Sequence, residues 1–194
     1  MDIYSGQIFT IIWIGWIVSW LAAAFWSAPT EKRGARAEAW IYRTVMLVGS
    51  ILLWPQTGRA FNEDRLWLVG YGGAYALAAL AFAGLVFTWW ARIHLGRLWS
   101  GTITRKQDHR IVETGPYALV RHPIYTGLIA AIVATAVAEA TVAAIVGAVL
   151  AAFGLWLKAR IEERFLAGEL GADAYDAYRR RVPMLVPFLR PRGS

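Results

Sequence analysis

The side chains that could support chemistry are concentrated in two polar stretches of the C-terminal half. The first runs from His94 to His122 and leads into RHPIYTG, residues 121–127. The second begins at Lys158 and carries two adjacent acids, Glu162 and Glu163. Because most of the remaining chain is apolar, we expect the functional site to be built from these two stretches.

The RHPIYTG motif predicts an anion-binding helix start. Pro123 suits the first turn of a helix, where its missing N–H leaves no bond unmade. His122 would then lie at the helix N-terminus, where unpaired N–H groups and the positive end of the helix dipole face the same place. Together with the guanidinium of Arg121, such a site favours a carboxylate or another anion.

Glu162 and Glu163 are predicted to lie on a helix that continues the last apolar segment. Adjacent helical residues point about 100° apart, so the two carboxylates should have different partners. The alternative is that both simply form ion pairs, with Arg160, Arg164 or Arg121 as candidates. Further along, Gly171 predicts the end of this helix, and Asp173 is predicted to cap a short helix that carries Tyr175 and Tyr178.

Several kinds of chemistry are disfavoured by the residue content. The chain has no cysteine, which excludes disulfides, a thiolate nucleophile and cysteine-bound metals. Its three histidines, His94, His109 and His122, do not have zinc-site spacing, and no metal site is predicted. The sequence contains neither a serine nucleophile elbow nor a glycine-rich phosphate or dinucleotide motif.

The composition predicts an all-α integral membrane protein. Hydrophobic residues make up 58% of the 194 positions and charged residues only 17%. A membrane span needs about 20 mostly apolar residues, and candidates run from about 8 to 28, 39 to 55 and 66 to 93. The apolar block from 124 to 157 is too long for one span, and Glu139 divides it. We predict a tight helical hairpin there, giving five spans; one long bent helix is the alternative.

The distribution of basic residues orients these spans. Five spans with an external N-terminus place nearly all Lys and Arg residues on the cytoplasmic side, together with the C-terminus. The net charge of +7 then reflects topology and contact with anionic lipids, and no nucleic-acid motif is present. The first apolar stretch lacks a basic flank and a cleavage site, so we expect a retained span. The Ala-, Arg- and Trp-rich composition suggests a bacterial inner membrane.

Four motifs in fixed order carry a family resemblance. They are LGRLWS at 95–100, HRIV at 109–112, GPYALVRHPIYTG at 115–127 and EERFLAGELGADAYDAY at 162–178. Together they resemble the isoprenylcysteine carboxyl methyltransferase family, which is related to phospholipid N-methyltransferases. The resemblance covers residues 94 to 187, whereas the first three spans show no signature beyond hydropathy.

The resemblance implies a single membrane methyltransferase domain, 1–194, that uses S-adenosylmethionine. Residues 1–93 would supply three spans and residues 94–194 the cofactor-binding half. The cofactor-binding residues carried over from the family pattern are His109, Ile111, Val112, Gly115, Tyr117, Arg121, His122, Pro123, Tyr125, Glu162 and Glu163. The residues predicted to act in catalysis are Arg121, Glu163 and Arg164.

The reaction class implied is methyl transfer to a lipidic or hydrophobic acceptor that enters from the bilayer. O-methylation of a carboxylate is placed ahead of N-methylation, and a thiol acceptor stays open. A carboxylate is ionised at neutral pH and needs no base, and Arg121 or Arg164 could hold it. Phospholipid N-methylation is an alternative in which Glu162 or Glu163 assists proton loss. A reductase using NADPH is disfavoured by Ile124 and Leu128, where its pattern has Asn and Asp. A non-enzymatic membrane protein would place its polar groups inside the spans.

Overall fold

The computed structural model describes residues 3–26, 30–33, 36–55, 57, 64–100, 104–106 and 111–189. Within these ranges the chain forms seven α-helices: α1 Ile3–Ala22, α2 Arg36–Leu53, α3 Tyr71–Leu95, α4 Pro116–Leu119, α5 Pro123–Glu139, α6 Val142–Leu170 and α7 Ala172–Arg181. Short 3₁₀ turns follow α1 and α3, at Ala23–Phe25 and Gly96–Leu98. The protein is therefore helical, as its apolar composition predicts.

One small antiparallel ladder departs from the all-α prediction. The strand β1, Thr30–Arg33, pairs with β2, Thr104–Lys106, and the register is irregular between Thr30 and Lys32. The two strands lie in the loops after α1 and after α3. Neither segment has the apolar alternation that marks a strand in sequence, so this pairing depends on tertiary proximity and could not be expected.

Five of the helices are apolar, and two of them are long enough to cross a membrane by length and composition. These two segments are Tyr71–Leu98 and Val142–Glu169. The three shorter apolar segments are Gln7–Ala22, Ala39–Leu53 and Pro123–Glu139. At 1.5 Å per residue, the last of these extends for about 25 Å, slightly less than a hydrocarbon core of about 30 Å.

The predicted hairpin is present, and the alternative of one long bent helix is wrong. Helix α5 ends at Glu139, Ala140 adopts a left-handed conformation with φ 53°, and α6 begins at Val142. The side chain of Thr141 caps α6 by accepting a hydrogen bond from the Ala144 amide over 3.2 Å. Two residues therefore suffice to reverse the chain.

Two predicted span boundaries are wrong by several residues. Helix α1 ends at Ala22 instead of reaching residue 28, and α3 begins at Tyr71 instead of residue 66. The residues before α3 are irregular because they pack against the hairpin turn. The Leu66 amide donates to the Ala140 carbonyl over 2.7 Å, and Trp67 Nε1 donates to the Val137 carbonyl over 3.0 Å. Apolar content alone cannot distinguish such a segment from helix.

Glycines allow two helix pairs to approach backbone to backbone. Helices α3 and α5 meet at Gly84 and Gly127, where a Cβ on either residue would collide with the carbonyl oxygen of the other. Helices α2 and α6 meet in the same way at Gly49 and Gly147. These two pairs are the most extensive helix contacts in the described structure, and α5 and α6 are themselves joined by the hairpin turn.

Helix α1 is attached to this core by tryptophan side chains. Trp13 Nε1 donates to Thr135 Oγ1 on α5 over 3.0 Å, and Trp16 Nε1 donates to Thr88 Oγ1 on α3 over 2.8 Å. Both threonines are fully buried. These hydrogen bonds to buried threonines fix the rotation of α1, which places Trp20, one turn further along, beside the start of α5.

Candidate active site at the start of helix α5

The local chain path into α5 follows the predicted signals. Gly115 has φ 57°, and a Cβ at this position would collide with the ring of His94, so only glycine fits the turn. Pro116 then starts the single turn of α4, and Pro123 starts α5 with His122 at the N-cap position. The prediction that His122 lies at a helix N-terminus is confirmed.

Arg121 connects the start of α5 to α6 and to the end of α7. Its Nε donates to Glu163 Oε1 over 2.7 Å, and its Nη1 donates to the carbonyls of Arg179, over 2.9 Å, and Val182, over 2.8 Å. The exposed fractions of the Arg121 and Glu163 side chains are only 8% and 4%. The ion pair is buried, and together the three hydrogen bonds hold the start of α5 against α6 and the end of α7.

His122 bridges the two acids. Its Nε2 lies 3.1 Å from Glu163 Oε1, and its Nδ1 lies 3.7 Å from Glu162 Oε2. The imidazole stacks on the ring of Tyr125 with centroids 5.3 Å apart and planes 3° from parallel. The Tyr125 hydroxyl in turn donates to Glu162 Oε2 over 2.7 Å.

The two adjacent acids therefore have different principal partners, as their helical spacing predicts. Glu163 pairs with Arg121 and also lies 3.7 Å from Arg179, whereas Glu162 is bound by Tyr125. The alternative, in which the acids form ion pairs with nearby arginines, is met by Glu163, which pairs with Arg121. Asp173 was predicted to cap α7, and this is wrong: Gly171 occupies the cap position without a side-chain bond, and Asp173 lies in the first turn.

Three buried tyrosines line the side of the site formed by α4 and α7. The Tyr178 hydroxyl donates to the Tyr117 carbonyl over 2.7 Å, and the Tyr175 and Tyr178 rings meet edge to face at 6.1 Å. Burial raises the pKa of Tyr117, Tyr175 and Tyr178 above the usual value near 10. All three phenols are therefore neutral at physiological pH.

A cavity of about 450 Å³ lies against these groups. Of the residues predicted to bind the cofactor, those that line it are Ile111, Val112, Tyr117, Arg121, His122, Pro123, Tyr125 and Glu162. Glu163 is held behind them by its bonds to Arg121 and His122. Gly115 and the exposed Arg164 are not among the described lining residues, and His109 falls outside the described residues.

The opposite wall contains residues that sequence reasoning did not single out. Trp16 and Trp20 come from α1, Met46 from α2, and Trp99 from the turn after α3. Lys158 of α6 also lines the cavity, with its Nζ 5.2 Å from the centre of the Tyr125 ring. Apart from Trp99, which belongs to the LGRLWS motif, these residues carry no motif, so only the helix packing could have revealed them.

Arg92 lies immediately behind this tryptophan wall. The side chain is fully buried, with its guanidinium carbon 3.5 Å from the centre of the Trp99 ring and 5.4 Å from that of Trp20. Its Nη2 donates to the carbonyl of Ala23, while Nε and Nη1 have no partner in the described part of the chain. In the sequence, an arginine within an otherwise apolar helix is a signal of a functional role.

A second cavity of about 270 Å³ adjoins the first. The two share Trp16, Met46, Leu128 and Leu155 as lining residues. The second cavity is almost wholly apolar and extends along α2 as far as Trp54 and Pro55. A cavity lined in part by charged and hydroxyl groups therefore adjoins one that is almost wholly apolar.

The first cavity can hold a small zwitterionic molecule. Glu162 offers a carboxylate to a cationic group, Lys158 and the start of α5 offer positive charge to an anionic group, and the tyrosines offer ring faces. Within the described residues, no three His, Cys, Asp or Glu side chains are grouped as metal ligands.

Comparison with known proteins identifies the family. The model of the isoprenylcysteine carboxyl methyltransferase family matches residues 76–168. The protein-S-isoprenylcysteine O-methyltransferase of Schizosaccharomyces pombe is 32% identical over 163 residues, which cover 76% of this chain and 67% of that protein.

Two bacterial proteins are also similar. The nickel-cobalt-cadmium resistance protein NccN of Alcaligenes xylosoxydans xylosoxydans is 34% identical over 165 residues, covering 84% of this chain and 70% of that protein. The cobalt-zinc-cadmium resistance protein CzcN of Cupriavidus metallidurans is 37% identical over 98 residues. That match covers 49% of this chain, which spans less than half, 44%, of the CzcN sequence.

The apolar helices and the matches above indicate a membrane methyltransferase. The chain belongs to the isoprenylcysteine carboxyl methyltransferase family. The resemblance carried by the four sequence motifs is thereby confirmed.

Proposed function

We propose that the protein transfers a methyl group from S-adenosylmethionine to the carboxylate of a lipidic acceptor. The observation that carries this proposal is the shared wall of the two cavities, formed by Trp16, Met46, Leu128 and Leu155. The first cavity, whose lining includes His122, Lys158 and Glu162, suits a water-soluble methyl donor, and the adjoining apolar cavity suits the chain of a lipid. The reacting groups would meet at the shared wall.

The first cavity fits the proposed cofactor in size and in chemistry. Its volume of about 450 Å³ falls in the range of about 300–1,000 Å³ that is usual for small-molecule sites. S-adenosylmethionine supplies a methyl group already activated by a sulfonium centre. Glu162 would bind its ammonium or ribose hydroxyls, while Tyr117 and the backbone of Ile111 and Val112 would contact the adenine.

The remaining polar residues position this site. Glu163 holds Arg121 and His122 through a 2.7 Å and a 3.1 Å contact, and His122 supports the ring of Tyr125 by stacking. Tyr125 then orients Glu162 through its 2.7 Å hydrogen bond. In this proposal Arg121 and Glu163 act through their neighbours, whereas His122, Tyr125 and Glu162 touch the cofactor.

A carboxylate acceptor needs a cation to hold it and the exclusion of water, and it needs no base. Arg92 meets the first need better than Arg121 or Arg164. The Nε and Nη1 atoms of Arg121 are committed to Glu163 and to backbone carbonyls. Arg92 lies against Trp20 and Trp99, which line the first cavity, and its Nε and Nη1, which have no partner in the described part of the chain, would donate to the acceptor carboxylate.

The membrane arrangement completes the proposal. The apolar parts of α1, α2, α3, α5 and α6 would form five spans in a bacterial inner membrane, with the N-terminus outside. The start of α5 and the C-terminal segment would face the cytoplasm, from which the charged cofactor enters. The basic residues flanking this end support that orientation.

The proposal is tested by incubating the purified protein with methyl-labelled S-adenosylmethionine and a membrane lipid extract. Label released by base as volatile methanol identifies a methyl ester and supports O-methylation. Label that stays in phospholipid after base treatment identifies N-methylation and contradicts the carboxylate assignment. Absence of S-adenosylmethionine binding by calorimetry contradicts both.

Two variants separate the cofactor site from the acceptor site. Glu162→Gln should weaken S-adenosylmethionine binding by about tenfold to a hundredfold, because a hydrogen bond to a charged group contributes about 1.5–3 kcal/mol. Arg92→Gln should raise the acceptor KM while leaving cofactor affinity unchanged. Unaltered cofactor affinity in Glu162→Gln would show that Glu162 does not bind the cofactor. An unaltered acceptor KM in Arg92→Gln would show that Arg92 does not bind the acceptor.

A further inference from the structure

The chain after α7 runs alongside the start of α5. Three successive carbonyls accept hydrogen bonds from it: Pro183 from the Arg121 amide over 2.8 Å, Met184 from the His122 amide over 3.1 Å, and Leu185 from Thr126 Oγ1 over 2.6 Å. We call residues 183–185 the C-terminal strap. Arg121 and His122 precede α5, whereas Thr126 lies one turn inside it, so the strap runs in the direction in which α5 enters the apolar bundle.

The strap leads into a turn whose apolar side chains are uncovered. The Leu189 amide donates to the Val186 carbonyl over 3.3 Å and closes the turn. The exposed fractions are 56% for Val186, 89% for Phe188 and 63% for Leu189. Because the turn presents these side chains outward, the protein itself does not bury them.

Phe188 also has an unfavourable backbone conformation. Its φ is 63°, in the left-handed region that bulky residues rarely adopt. Such a conformation is usually maintained by the surroundings of a residue, yet the ring makes little contact with the rest of the chain. Surroundings outside the protein that cover the ring would account for both its exposure and its backbone conformation.

The charges around the turn identify those surroundings. Residues 179–192 contain five arginines, at positions 179, 180, 181, 190 and 192, and no acidic residue. Two of these arginines also form ion pairs within the chain, Arg179 with Asp176 and Arg181 with Glu113. An apolar turn between arginine-rich segments suits the surface of an anionic bilayer, where aromatic and aliphatic side chains enter the interface and arginines contact the headgroups.

We propose that the turn at residues 186–189 is inserted into the lipid leaflet beside the start of α5, with anionic phospholipid as its partner. Through the strap, this insertion holds the backbone of Arg121 and His122, so the bilayer surface stabilises the site. The inference rests on the membrane arrangement proposed above, but it involves no step of methyl transfer. It can therefore fail or succeed independently of the proposed reaction.

The absence of cysteine permits a direct test by single-site spin labelling. A label on Phe188→Cys in phosphatidylcholine vesicles containing phosphatidylglycerol should collide more often with oxygen than with a water-soluble nickel chelate. Matched controls are Val149→Cys, on the exposed apolar face of α6, and Asp173→Cys, exposed on α7. The label at 188 should resemble the one at 149.

Two results would overturn the inference. A label at 188 that is as accessible to the nickel chelate as the one at 173 would place the turn in water. A label inaccessible to both reagents would indicate a protein contact instead of lipid. Insertion should also become shallower when phosphatidylglycerol is omitted, and an unchanged depth would exclude the anionic headgroups as the partner.

The connection through the strap has its own measurement. The double substitution Phe188→Ser and Leu189→Ser should increase hydrogen exchange at the Arg121 and His122 amides by about tenfold in vesicles, because the strap that protects them would open more often. Exchange at core amides of α6 serves as the reference. Unchanged exchange at Arg121 and His122 would show that the turn is not coupled to the site.

Discussion

Nε of Arg121 and Oε1 of Glu163 are 2.7 Å apart, and this contact joins two parts of the chain that are 42 residues apart in sequence. The same guanidinium also binds the carbonyls of Arg179 and Val182. The start of α5, the C-terminal part of α6 and the end of α7 are therefore connected through one side chain. Loss of this connection should affect the whole cavity.

Replacing Arg121 with Gln should lower the free energy of unfolding by about 3–5 kcal/mol, because Glu163 would become a buried carboxylate without its cationic partner. Thermal unfolding in detergent provides the measurement. Cofactor affinity should fall as well, since His122 shares the same carboxylate oxygen.

The control for this prediction is the pair of variants Glu163→Gln and Arg121→Gln with Glu163→Gln. In the double variant the buried charge is gone, so the loss should be smaller than the sum of the two single losses. Strict additivity would show that the 2.7 Å contact contributes no coupling and that the two residues act separately.

Much of this arrangement could be predicted from short-range sequence signals. Pro123 and His122 start α5 as predicted, Glu139 marks the hairpin turn, and Gly171 ends α6. Each signal depends on local backbone chemistry: a missing N–H, a polar group at the end of an apolar run, or a residue that tolerates positive φ. The different partners of Glu162 and Glu163 followed from helical geometry.

The other wall of the site depends on packing between distant helices and could not be predicted in this way. Trp16 and Met46 reach the cavity because α1 and α2 pack against α5 and α6 at particular rotations. Those rotations are set by pairs such as Trp13 with Thr135 and by the glycine contacts. The sequence marks Arg92 as unusual, but the role proposed for it depends on the contacts with Trp20 and Trp99, which only the packing shows.

Gly127, in the RHPIYTG motif, should not tolerate even a methyl group. In Gly127→Ala the new Cβ would collide with the Gly84 carbonyl, and a helix backbone cannot move aside as a flexible side chain can. We expect a loss of about 1–3 kcal/mol of stability, which is usual for overpacking, measured as a lower unfolding temperature.

The matched control is Gly72→Ala, at the start of α3, where a Cβ would meet nothing within 4 Å. This substitution should be neutral or slightly stabilising, because alanine is favoured over glycine in a helix by about 1 kcal/mol. If both variants unfold at the same temperature, the close approach of α3 and α5 at Gly127 does not contribute to stability.

The buried phenols predict a loss of stability at alkaline pH. The pKa of Tyr117, Tyr175 and Tyr178 is raised in the folded protein, first of all by burial. The unfolded chain therefore releases these protons near its ordinary pKa of about 10, while the folded chain keeps them. Their contribution to stability is present below that pH and is lost as the pH rises further.

A series of unfolding temperatures across the alkaline range measures this effect. Tyr175→Phe removes one such phenol, so its unfolding temperature should fall less steeply with pH than that of the parent protein. Tyr75→Phe is the control, because Tyr75 is exposed on α3 and should leave the slope unchanged. Equal slopes for the parent protein and Tyr175→Phe would contradict burial as the cause.

The apolar cavity predicts selection for acceptor chain length. Ser50 of α2 lines this cavity and is small, so Ser50→Phe should fill part of its volume of about 270 Å³. Acceptors with long apolar chains should then show a KM raised by about tenfold or more, because each buried methylene excluded from the cavity loses about 0.8 kcal/mol. Acceptors too short to pass the shared wall should be methylated as before.

Thr44→Phe is the matched control for this experiment, since Thr44 is exposed on the same helix and is not among the described residues that line either cavity. Methyl transfer to a series of carboxylic acids of increasing chain length, measured with both variants, separates the effects. A uniform loss with Ser50→Phe across all lengths would indicate general damage to the bundle. Because Met46 and Leu155 connect the two cavities, a length-dependent loss would instead identify the apolar cavity as the place where the acceptor chain binds.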